Sequence, residues 1–136
     1  MRPDGACPCG TGDPFGGCCL PVHIGEREAQ TAEQLMRARY SAYAVGDSDY
    51  LWRSWHPRTR PDSVTGSGLV WTRLEIIDSV AGEPGDESGE VEFLAYYRGG
   101  VLRERSRFAW RARRWFYVDG DGAGDGDRDA DGNPVG

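Results

Sequence analysis

The hydrophobic positions of this chain change their period partway along, and the change divides it. Thr31-Ala32-Glu33-Gln34 has the form of a capping box, in which the Thr hydroxyl and the Gln side chain satisfy orphan backbone donors at a helix start. Leu35, Met36, Arg39, Tyr40 and Tyr43 then share one face at helical spacing, and Gly46 supplies a stop, so a helix is predicted over about 32–45. A second, shorter helix is predicted after Asp47 or Ser48, carrying Leu51, Trp52 and Trp55 and ended by Pro57. Beyond a loop at 58–68 the period becomes two. Val70, Leu74 and Ile76 share one strand face; Val91, Phe93, Ala95 and Tyr97 share the next. A polar loop at 82–89 joins them, and Gly99-Gly100 reads as a tight hairpin turn. The third strand sets Leu102, Glu104, Ser106, Phe108 and Trp110 against Arg103, Arg105, Arg107 and Arg111, and a hairpin through Ala112-Arg113-Arg114 leads into Trp115-Phe116-Tyr117-Val118.

Two helices followed by a curled antiparallel sheet describe an α+β domain. With 136 residues there is room for one ordinary core, and 11% aromatic content, five Trp among it, lets that core fold without staples. The formal charge of -6 is unevenly spread. Residues 119–136 hold six Asp and one Arg, which leaves 16 acids against 15 bases on the rest. The folded part is therefore nearly neutral. No Lys occurs, so every base is Arg. No stretch approaches the roughly 20 apolar residues of a membrane span, and the N-terminus has no apolar run of a secretory signal, so a soluble cytoplasmic protein is expected.

Residues 5–23 are rich in Gly, Pro and Cys, with Cys7-Pro8-Cys9 and Cys18-Cys19 separated by eight residues. In a reducing cytosol clustered cysteines are metal ligands more often than disulfides. Four thiolates complete the tetrahedron that zinc requires and leave no position for substrate, which makes the expected site structural. Iron is the alternative metal. Buried or disulfide-bonded cysteines are the competing reading, but adjacent Cys18 and Cys19 cannot easily bond each other, and the Gly-rich setting offers no core.

Cys-Pro-Cys-Gly-Thr-Gly followed by Cys-Cys resembles the SEC-C motif, a zinc-binding module found at the C-terminus of the SecA translocation motor and on otherwise unrelated proteins. Leu35-Met36-Arg37-Ala38-Arg39-Tyr40, Trp55-His56-Pro57, Glu104-Arg105-Ser106-Arg107-Phe108 and Trp115-Phe116-Tyr117-Val118-Asp119-Gly120 extend the likeness to the YchJ-like family of uncharacterised proteins. The resemblance implies zinc on Cys7, Cys9, Cys18 and Cys19 and, over residues 29–120, a nuclear transport factor 2-like cone with helices in the concavity of a bent sheet. Residues 1–28 would form the knuckle and linker, and residues 121–136 a disordered acidic tail. Typical SEC-C motifs carry Lys pairs between the second and third ligands. This chain has Asp13-Pro14 and Gly16-Gly17 instead.

Other candidate chemistry is weaker. Cone folds often enclose a pocket, and Tyr40, Tyr43, Trp55, His56, Tyr96, Glu104 and Phe108 are its candidate lining. His56 and Glu104 within hydrogen-bond reach would suit a general base and its orienter, as in an isomerase or dehydratase. The plainer reading makes His56 a helix cap and pairs Glu104 with an Arg. The row Arg103, Arg105, Arg107 and Arg111, extended by Arg113 and Arg114, has the composition of a nucleic-acid surface. Cross-strand pairing with Glu75, Glu90 and Glu92 is the favoured account of it. A further expectation lays the acidic tail across the row. Asp127-Arg128-Asp129-Ala130-Asp131-Gly132-Asn133 imitates the start of a calcium loop without its closing Glu. The sequence thus predicts a non-catalytic zinc protein acting as a binding or adaptor module with an unknown protein partner.

Overall fold

The computed structural model describes residues 3–64 and 68–124, the last three by backbone only. The calcium-loop imitation and most of the acidic segment lie outside the described residues. A short 3-10 turn, Phe15–Gly17, leads into α1 (Leu20–His23), α2 (Ala32–Val45), α3 (Ser48–Arg53) and four strands, β1 (Trp71–Ala81), β2 (Ser88–Tyr97), β3 (Gly100–Arg111) and β4 (Arg114–Gly124). The strands form one antiparallel meander in the order β1-β2-β3-β4.

The start of α2 follows the predicted box with one change of partner. The Thr31 hydroxyl accepts the Gln34 N–H at 3.1 Å, while Gln34 Oε1 reaches past the cap to accept the Gln30 N–H at 2.7 Å. A third donor, the Ala32 N–H, is taken by the Gly82 carbonyl at 2.9 Å. The close approach behind that bond requires glycine. A Cβ at Gly89 would sit 2.5 Å from the Gly82 Cα, and one at Gly82 would sit 2.7 Å from the Ala32 Cβ. At the other end Gly46 adopts the left-handed φ of 82° that ends a helix without strain. Asp47 then caps α3 through the Tyr50 N–H, 3.0 Å away. This second helix stops before Trp55, which instead bridges to Tyr117.

The period-two reading holds on β2, whose Val91, Phe93 and Ala95 are buried, and on β3, whose Leu102, Glu104, Ser106 and Phe108 are buried. It fails at both ends. Val70 lies outside β1 and is half exposed, because an irregularity between Trp71 and Arg73 brings the Trp71 ring inward against Tyr40, Tyr43 and Tyr97. Trp110 is 43% exposed at the end of β3, edge-on to Trp115. The β2–β3 turn is Arg98-Gly99, one residue earlier than expected, with Gly99 at φ 105°. The last strand also runs further than expected. It continues to Gly124, opposite Leu102, so residues 121–124 belong to the sheet. Asp119 and Asp121 face Arg107 across the ladder, and that pairing favours strand over tail.

The core lies between α2 and the concave face of the sheet. Leu35, Met36 and Tyr40 from the helix join Val91, Phe93, Leu102, Phe108 and Tyr117 in one buried cluster that also takes in Phe15, Cys7, Cys9 and Cys19. The knuckle is therefore continuous with the domain core.

Candidate functional site

The cysteines are brought together by a short hairpin. Ala6 bridges Pro14, the Cys7 N–H donates to the Asp13 carbonyl at 2.9 Å, and the Cys18 N–H donates to the Phe15 carbonyl at 3.1 Å. These bonds fold the chain back so that the Sγ atoms of Cys7, Cys9, Cys18 and Cys19 all lie within 4.8 Å of one another. Cys9 and Cys18 are 3.5 Å apart and Cys18 and Cys19 4.0 Å, with all four as free thiols. A tetrahedral thiolate site with metal–sulfur bonds of about 2.3 Å has sulfur–sulfur edges of about 3.8 Å. The cluster fits that geometry.

Crowding drives the acidities of Cys7, Cys18 and Cys19 apart. Hydrogen bonds from Cys19 and Cys9 hold the Cys7 thiol far below its ordinary range, whereas Cys19, which gives its hydrogen to Cys7, is driven far above it. Burial, above all, pushes Cys18 up to about 11. Four adjacent sulfurs lose their protons together only when a cation takes up the charge.

Residues of the helical domain complete the shell. The Ser41 hydroxyl on α2, fully buried, lies 3.5 Å from Cys7 Sγ, and the Thr11 hydroxyl lies 3.2 Å from Cys18 Sγ. Arg37 ties the same helix to the knuckle by donating to the Cys9 carbonyl at 2.6 Å, its Nε held by Glu33 at 3.1 Å. His23, 2% exposed, meets the Ala38 carbonyl through Nε2 at 2.8 Å and packs between Phe15 and Tyr50. Burial lowers its pKa. Thr11 and Arg37 lie inside the family motifs, which give them no role, and Ser41 and His23 lie outside those motifs. Ser41 sits four residues on from Arg37, so the two share one face of α2, and the docked knuckle shows what that face meets.

The other candidates part company. Glu104 is buried under Ser106, whose hydroxyl donates to it at 2.5 Å, and Tyr117, whose phenol donates at 3.3 Å. Tyr43 and Trp55 join these three and Arg39 around a cavity of about 20 Å³. Arg39 is buried as well, donating to the Leu51 carbonyl at 2.8 Å and Ser54 Oγ at 2.7 Å, its guanidinium 4.4 Å from the centre of the Tyr117 ring. His56 does not reach this group. Its ring packs on Phe116, and its Nδ1 accepts the Arg58 N–H at 3.0 Å in a separate recess. Adjacent strand residues face opposite ways, so a contact with Phe116 and one with Tyr117 lie on different sides of β4. Tyr40 and Phe108 are core, and Tyr96 stands outside, donating to Glu75 at 3.1 Å beneath Arg73.

The basic row is mostly consumed by acids. Arg103 pairs with Glu92 at 2.7 Å, and Arg105 with Asp78 at 2.6 Å, Glu90 at 3.1 Å and Glu92 at 3.2 Å. Arg107 pairs with Asp119 at 2.5 Å and Asp121 at 3.0 Å. These partners raise the pKa of both Arg105 and Arg107. Glu75 is not among them. Arg111, Arg113 and Arg114 have no ion pair among the described residues.

Comparison with known proteins agrees with this geometry. Residues 31–120 match the family described as the middle NTF2-like domain of YchJ. A UPF0225 protein of Streptomyces coelicolor is 48% identical over 120 residues, covering 88% of this chain and 97% of its own. A UPF0225 protein of Deinococcus radiodurans is 44% identical over 119 residues, covering 83% and 86%. The solution structure of a SEC-C motif containing protein from Rhodopseudomonas palustris superposes with a TM-score of 0.75 at 32% identity, covering 88% of this chain and all of the other. A crystal structure of a SEC-C motif containing protein from Psychrobacter arcticus, at 22% identity, shares the fold with a TM-score of 0.70 over 86% and 82% of the two chains. With an NTF2-like cone behind a four-cysteine knuckle, the chain belongs to the YchJ-like UPF0225 family.

Proposed function

We propose that this protein binds one zinc ion on Cys7, Cys9, Cys18 and Cys19, that the metal is structural, and that the molecule works as a non-catalytic binding module with protein partners. The observation that carries the reading is the completeness of the thiol cluster, with four sulfurs within 4.8 Å and three of the cysteines buried. A zinc held by four thiolates keeps no open position, so it supplies folding energy rather than a nucleophile. Its effect is to lock residues 5–19 onto α2 through Ser41 and Arg37. The exposed loop at 10–14 is then displayed rigidly.

The cone interior supports the same reading. A cavity of about 20 Å³ at Glu104 admits a water, far below the roughly 300 Å³ of a small-molecule site. His56 packs in a recess apart from Glu104, so these two do not form the candidate acid–base pair, which supports the same reading. No helix among the described residues is long and apolar enough to cross a membrane. Thiols kept free as ligands suit a reducing compartment, and we place the protein in the cytoplasm.

Cobalt substitution tests the closed site. The expected product has tetrahedral thiolate absorption that added azide or cyanide leaves unchanged. A spectrum that responds to those anions shows an open coordination position and contradicts a structural role. For the module itself, affinity capture with the intact chain is expected to retain a protein that the Cys18→Ser chain loses. Identical captures would sink the adaptor reading.

A further inference from the structure

Five of the cations left without acids lie on two neighbouring segments, and they are not the paired row along β3. Among the described residues, Arg58, Arg60, Arg111, Arg113 and Arg114 make no ion pair. They come from two segments, the loop after α3 and the β3–β4 hairpin. The segments meet at an open recess of about 450 Å³ lined by His56, Pro57, Arg58, Ala109, Trp110 and Arg111. Arg58 and Arg111 line the recess with His56, and Arg111, Arg58 and Arg60 all lower the pKa of that ring after burial has done so first.

Aromatic faces accompany the charges. Trp110, in the recess, is 43% exposed, and Trp52, 37% exposed, carries the Arg60 guanidinium 4.0 Å from its ring centre. The hairpin tip adds an independent sign. Ala112 and Arg113 form its turn at φ 51° and 66°, a left-handed conformation that Asn-Gly adopts freely and that costs a residue with a Cβ about 1–2 kcal/mol. A fourth cation is thus held at the tip against local preference.

We infer that this recess binds single-stranded nucleic acid, with phosphates on Arg58, Arg111 and the hairpin arginines and a base stacked on Trp110. Guanidinium groups meet phosphate oxygens in pairs, and an accessible indole gives any base a stacking partner. An acidic peptide would use the charges but leave Trp110 without a counterpart. A duplex keeps its bases stacked on each other and has none to offer a recess. The recess lining includes no cysteine and none of the residues around the thiol cluster, so the inference does not depend on the zinc reading.

The experiment is fluorescence anisotropy of the full chain with a labelled oligouridylate of about 12 nucleotides, a length within the usual single-strand site size. Three to four phosphate contacts predict that log affinity falls against log salt with a slope of about -2 to -3. Arg58→Glu with Arg111→Glu is expected to cut affinity at least tenfold, and Trp110→Ala roughly fivefold or more. Arg103→Glu, on the paired row, should leave it unchanged, as should zinc content in every variant. Three results would overturn the inference: no binding at about 50 mM salt, equal loss from Arg103→Glu, or a poly-aspartate peptide of matched charge binding as tightly as the oligonucleotide.

Discussion

Ser41 shows how a single residue ties the metal site to the fold. Its hydroxyl is fully buried on α2, where a serine has little helical preference to recommend it, and it points at Cys7 Sγ from 3.5 Å. Outer-shell hydrogen bonds orient ligands and commonly account for 10–100-fold in metal affinity. Ser41→Ala is therefore expected to weaken zinc binding by about tenfold in a chelator competition, with the helical content of the chain intact. Unchanged affinity would mean that the thiolate takes no support from α2. The same residue marks a limit of the sequence. The four cysteines are legible because their spacing has few other uses, whereas a serine between Tyr40 and Ala42 looks like any other small helical residue until the knuckle is docked on it.

Among the elements, α2 is the one most fully readable beforehand. Its cap, apolar face and terminal glycine are local signals, and the observed span Ala32–Val45 coincides with the expected one. The departures elsewhere have long-range causes. Gln34 reaches Gln30 rather than the cap residue, and the Gly82 carbonyl takes the donor at Ala32, because the β1–β2 hairpin closes over the helix start. Since Thr31 satisfies only one of those donors, Thr31→Ala should cost about 1 kcal/mol in denaturant unfolding, and no more. A loss of several kcal/mol would show that the cap and the hairpin contact form as one unit. On β4 the local reading stops too early, as Asp and Gly disfavour strands in isolation. What extends it is Arg107, whose two carboxylate partners lie on the neighbouring strand and cannot be inferred from composition.

For the molecule as a whole, the family resemblance implied a cone and left its pocket open or filled; the structure fills it, leaving a cavity of about 20 Å³. Arg39 was legible as part of the inner helical face, but its destination was not. It satisfies the Leu51 carbonyl and Ser54 and lies over Tyr117, so the charge that a binding site would use is spent on packing. The buried phenols of Tyr50 and Tyr117 make this packing sensitive to alkali. Burial raises both pKa values above the ordinary 10, with the Glu104 charge adding to the rise at Tyr117. Above pH 10 the unfolded chain releases these protons while the folded chain keeps them, so stability falls as pH rises, by up to about 1.4 kcal/mol per pH unit for each tyrosine. Unfolding measured above pH 10 should become less steep in pH for Tyr117→Phe than for the parent. Equal slopes would remove Tyr117 from the account.

The central claim is that the knuckle and the cone are held as one body by a metal on Cys7, Cys9, Cys18 and Cys19. Native mass spectrometry of the purified chain, paired with thiol titration, tests it most directly. The account predicts one zinc per chain and no reactive thiol until a chelator is added. A folded chain with no bound metal and four reactive thiols would contradict it.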